Sequence, residues 1–114
     1  MIEVKLDAAP VIVVFTPVNH ALYVAVDEAL HQIGDGYHGM LTSGCENIHS
    51  ESSAHYYNEA LDFRIVWPAA FEEDFLKALA VKLALIPKKF HRETFARGYR
   101  YVREPNHLHV ERIR

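Results

Sequence analysis

The stretch Ala60-Leu61-Asp62-Phe63-Arg64-Ile65-Val66-Trp67 alternates in character. Leu61, Phe63 and Ile65 fall on one side, Asp62 and Arg64 on the other. That period of two marks a strand with one buried and one polar face. Pro68 stops it, because proline has no N–H to give the ladder. Such a strand needs neighbours in a sheet and a second layer over its apolar side.

The second layer is legible downstream. Phe71, Phe75, Leu79, Leu83 and Ile86 recur at helical spacing and predict a helix over 71–86. Glu72, Glu73 and Asp74 sit where the helix dipole favours negative charge, and Pro87 ends the helix. Two further strands are expected over 98–102 and 107–113. In the latter, Leu108, Val110 and Arg112 face one way, and His107, His109 and Glu111 the other.

Upstream, residues 38–43 read as a strand and 44–53 as a polar loop. Asn19 is the expected cap of a helix over 20–33, with Leu22, Val26, Ala29, Leu30 and Ile33 on one face and Gly34 and Gly36 behind it. Val11-Ile12-Val13-Val14-Phe15 reads as a buried strand ended by Pro17. The order of elements is mixed, not a strict strand–helix alternation. It predicts an α+β fold: a small, mostly antiparallel sheet with two main helices.

The 114 residues suit a single domain spanning 1–114. Half the residues are hydrophobic and 24% charged, as in globular proteins. The formal net charge of −3, with no Lys/Arg-rich block, argues against a nucleic-acid partner. The single cysteine, Cys45, excludes an internal disulfide and a Cys-x-x-Cys zinc site, and reads as a small buried hydrophobe. Met1 to Asp7 lacks the pattern of a signal peptide, so synthesis in the cytoplasm is expected. Residues 11–15 fall far short of the ~20 apolar residues needed to span a bilayer, so no membrane insertion is expected.

Histidine is over-represented, with eight in the chain. If the strands carrying Asp62 and His109 share a sheet, their polar faces bring a carboxylate and an imidazole together. His55 can fold back from the loop before Asp62. His55, Asp62 and His109 then make a three-ligand zinc site, which leaves a fourth position open for water. The plainer alternative is that His-x-His on a strand is a solvated face. His20, His31 and His91 read as surface groups, and Tyr99 and Tyr101 as packing.

The run Ser53-Ala54-His55-Tyr56-Tyr57-Asn58-Glu59-Ala60-Leu61-Asp62 resembles the Ser-x-His-x-x-Gly-x-Ala-x-Asp signature of the peptidase M15 family, with Asn58 at the glycine. Glu104-Pro105-Asn106-His107-Leu108-His109 is similar to the family's closing His-x-His motif. These are zinc D-alanyl-D-alanine carboxypeptidases and peptidoglycan endopeptidases, many of them phage endolysins. The hedgehog signalling domain is similar in fold and zinc site. Asn tolerates a left-handed backbone better than most residues, so the turn at Asn58 can survive.

The resemblance implies Zn2+ held by His55, Asp62 and His109. It implies Glu104 as the general base that takes a proton from water, and His107 as a stabiliser of the transition state. Arg64, His49 and Ser53 are candidates to support the ligands or touch substrate. The implied substrate is a peptidoglycan stem peptide. A phage or prophage enzyme without a signal peptide would reach the wall through a holin or as part of a virion. Two other classes fit the same sequence: a non-catalytic zinc-stabilised binding module, and a metal-free phage structural protein.

Overall fold

A computed structural model describes residues 2–4, 16–34, 39–43, 59–65, 69–86 and 98–113. The elements run β1 (Ile2–Val4), α1 (Pro17–Ile33), β2 (Gly39–Ser43), β3 (Ala60–Ile65), α2 (Ala69–Ala84), β4 (Gly98–Arg103) and β5 (Leu108–Ile113). The strands form one sheet in the order β1-β2-β3-β5-β4. Strands β2, β3, β5 and β4 are antiparallel neighbours, and β1 lies parallel against β2. The fold is α+β, with β3 at the centre of the sheet.

Both helices cover one face. Leu61, Phe63 and Ile65 of β3 and Leu108 and Val110 of β5 are buried against Leu22, Val26 and Leu30 of α1 and Phe71, Phe75 and Leu79 of α2. Phe63 is wholly buried, and its ring lies 6.4 Å from that of Tyr23. The alternation read for β3 is therefore the alternation that packs. Arg103 Nε meets Glu72 Oε1 at 2.8 Å, tying β4 to the first turn of α2. Among the described residues no helix is long and apolar enough to cross a membrane.

The start of α1 corrects the expected cap. Thr16, not Asn19, is the N-cap, and its Oγ1 accepts the backbone N–H of Asn19 at 3.1 Å. Pro17 is the first residue of the helix. Its fixed φ and missing N–H suit the first helical position, where the N–H has no partner within the helix. Asn19 is a buried residue of the first turn. Strand β1 was not expected: three residues are too few to display a period. The strand expected over 11–15 lies outside the described residues, as do His38, Cys45 and His91.

Candidate metal centre

The register of β3 against β5 places Asp62 directly opposite His109. Both side chains stand on the face away from the helices, because Leu61 and Phe63, and Leu108 and Val110, take the other one. His109 Nδ1 lies 2.7 Å from Asp62 Oδ1, a hydrogen bond in which the imidazole N–H donates. The pair is sheltered, with side-chain exposures of 19% for His109 and 15% for Asp62. Behind it, β2 bulges between Leu41 and Ser43, and Thr42 Oγ1 donates to the main-chain oxygen of Asp62 at 3.3 Å. A bulge that re-aims one polar side chain is common beside functional sites.

Glu111 shares the face, two residues beyond His109. Its Oε2 stands 3.5 Å from His109 Nε2, and its Oε1 accepts Arg100 Nε at 2.6 Å. Burial pulls the His109 imidazole down, but the hydrogen bond and charge of Asp62, together with Glu111, outweigh it. The net shift is upward from the ordinary histidine range. Two carboxylates flanking one imidazole favour a cation there, whether a proton or a metal.

On the other side of His109 is β4, with Val102 directly opposite. The β4–β5 connection turns at Pro105-Asn106, and the backbone N–H of Glu104 donates to the His107 carbonyl at 2.9 Å. Pro and Asn suit the two central positions of a tight turn. Glu104 and Arg100 thus flank Val102, each two residues from it, on the diagonals from His109. Such diagonals span ~7–8 Å, within reach of long side chains.

The predicted residues divide as follows. Asp62 and His109 are brought into contact. His55, His49 and Ser53 lie outside the described residues. His107 is half-buried at the turn, with Nδ1 2.7 Å from Asn106 Oδ1. An amide oxygen only accepts, so the proton sits on Nδ1, and Nε2 can donate only from the imidazolium. Glu104 is half-buried, and among the described residues no hydrogen bond joins its carboxylate to Asp62 or His109. Arg64, a candidate to support the ligands or touch substrate, makes no hydrogen bond to Asp62 among the described residues. It is exposed on the far side of Asp62 from β5's turn, opposite Met40 on β2. A position two residues along the strand shares a face, but here the arginine is drawn to water while Asp62 is satisfied by His109.

The donor set suits zinc in kind. Imidazole nitrogen and carboxylate oxygen bind it at ~2.0–2.2 Å, so two tetrahedral ligand atoms sit ~3.3–3.5 Å apart. The observed 2.7 Å is a proton-bridged pair, and a shared metal would require it to open by roughly 0.6 Å. Among the described residues no group of three His, Cys, Asp or Glu side chains is placed to hold a metal.

The groups not singled out from sequence as site residues are Glu111 and Arg100. Glu111 was legible as a neighbour of His109 on one face, since its place follows from alternation alone. Arg100 was not, because its partnership depends on how β4 pairs with β5. A groove of about 230 Å3 between α1 and α2, lined by His20, Val24, Glu28, Lys82 and Leu85, belongs to the helical layer, away from the pair. No family model, curated protein or solved structure matches this chain.

Proposed function

We propose that this chain is a zinc metallopeptidase acting on peptidoglycan stem peptides, as a D,D-carboxypeptidase or endopeptidase of phage or prophage origin. The observation that supports it is the sheltered meeting of Asp62 and His109 across β3 and β5. These residues are 47 positions apart in sequence, and the motif resemblance requires them to share one site. The substrate class rests on that resemblance. So does delivery to the cell wall by a holin or within a virion.

Asp62 and His109 would hold the metal together with His55. Zinc, when bound, supplies Lewis acidity and an activated water. Asp62 supplies charge and, through Thr42, is anchored by its backbone to β2. Glu104, on the diagonal from His109, holds a proton taken from the attacking water and returns it to the leaving amine. His107 would stabilise the negative charge that builds on the scissile carbonyl oxygen. Asn106 Oδ1 orients its ring through Nδ1. Val102, between Glu104 and Arg100, gives the site an apolar floor.

The test is metal content and turnover in three proteins. Wild type should carry close to one zinc per chain, and His109→Ala should lose it. Glu104→Ala should keep the zinc and lose hydrolysis of a purified muropeptide. Zinc bound by a wild type that cuts no muropeptide would favour the non-catalytic binding module. A wild type that takes up no zinc, even when supplied with it, would sink the metal reading.

A further inference from the structure

The polar side of β5 offers Asp62 more than one partner. His107, His109 and Glu111 follow one another at intervals of two. A slip of β3 by one residue would turn its apolar side chains to the polar face and is excluded by the core. A slip by two keeps every face correct. In one direction it sets Asp62 opposite His107 and Leu61 opposite Leu108, another pairing of carboxylate with imidazole over a pairing of leucines. The alternation of faces alone does not choose between His107 and His109, although this slip would carry Phe63 from Leu108 to Asn106 at the turn.

A second feature of the sheet distinguishes the registers. The ladder continues one step past Ala60 and Glu111, where the Arg112 backbone N–H donates to the Glu59 carbonyl at 3.0 Å. Glu59 and Arg112 are thus directly opposed. Their side chains enter the helix-facing side, where Arg112 is 0% and Glu59 3% exposed. Arg112 Nε stands 2.8 Å from Glu59 Oε2. Among the described residues no hydrogen bond reaches Nε or either Nη of Arg112, and Glu59 faces it as an ion pair. Tyr99 stands opposite Arg112 on β4.

We infer that the buried Glu59–Arg112 pair is a register clamp that selects His109, and not His107, as the partner of Asp62. Slipped by two residues toward His107, Glu59 would face Val110, and two charges would be buried without each other. Slipped the other way, Arg112 would face Leu61. Either arrangement parts two buried opposite charges, the circumstance in which a buried pair fixes registry. The clamp lies at the start of β3, three residues from Asp62 along one strand and three from His109 along the other. Glu59 and Arg112 are positioning residues: they touch neither metal nor substrate. The consequence for metal rests on the zinc reading above, whereas the register does not.

The test removes both charges together, so that neither is orphaned. In Glu59→Leu/Arg112→Met, cross-strand nuclear Overhauser contacts should report two registers, with Asp62–His107 contacts appearing beside Asp62–His109. Zinc affinity should fall ~10–100-fold, the usual loss when a group that orients ligands is removed. A folded double variant with the Asp62–His109 register alone would overturn the clamp. Should the double variant not fold, His109→Ala in the otherwise native chain decides. With the clamp intact, Asp62 should stay opposite position 109 despite the imidazole available at His107. A slip that brings His107 to Asp62 would overturn the inference. Absence of zinc binding in wild type would overturn the metal reading and leave the register result standing.

Discussion

Glu59→Gln should be far more damaging than removing Glu59 and Arg112 together. The arginine side chain is 0% exposed and its countercharge 3% exposed, so water cannot replace the lost carboxylate. Breaking one partner of such a pair costs ~3–5 kcal/mol. Against a total of ~5–15 kcal/mol, that is a fifth or more of the stability of a chain this size. At about 4 °C per kcal/mol, melting should fall by roughly 12–20 °C. Glu59→Leu/Arg112→Met removes two desolvated ions and leaves two apolar side chains of comparable total volume. Replacements of that kind are often neutral, or stabilise by ~1–4 kcal/mol. Urea unfolding followed by far-UV circular dichroism gives both numbers, provided the denaturant slope is unchanged. If Glu59→Gln costs under ~1 kcal/mol, or the double variant costs as much as the single, Arg112 has another source of charge compensation and the reasoning fails.

Other expectations follow from single contacts. In the metal-free protein, His109 should titrate above the ordinary imidazole range, and Asp62→Asn should bring it down by removing the hydrogen bond and charge that offset burial. Because its folded pKa is raised, the stabilisation is full below the unfolded value of ~6.5 and is lost as pH rises through the folded value. An NMR titration of His109 that is indifferent to Asp62→Asn would refute the attribution. Phe63→Ala, at a wholly buried position on the central strand, should cost ~3–5 kcal/mol in the same urea assay. Thr16→Ala should cost ~1 kcal/mol by removing the cap that accepts the Asn19 N–H, and an unchanged midpoint would mean the cap contributes nothing.

The sequence by itself determined the elements whose signal is local. The alternation over Ala60 to Ile65 set both the strand and the face of each side chain, because successive side chains of a strand must point oppositely. The stripe Phe71, Phe75, Leu79 and Leu83 did the same for α2. That Asp62 and His109 share the polar side of the sheet was likewise legible, since each lies between buried neighbours on its own strand. Proline was ambiguous: Pro17 suits the end of a strand as well as the first turn of a helix, and the hydroxyl of Thr16 resolved it. Strand β1 had no readable period, and its pairing with β2 is a matter of tertiary contact. Only the tertiary structure decided which imidazole faces Asp62, that Arg64 is left to water, and that Arg100 is drawn to Glu111. Those choices depend on register between strands distant in the chain. Patterning fixes register only to within two residues, and the remaining choice falls to pairings such as Glu59 with Arg112 that a one-dimensional period does not encode.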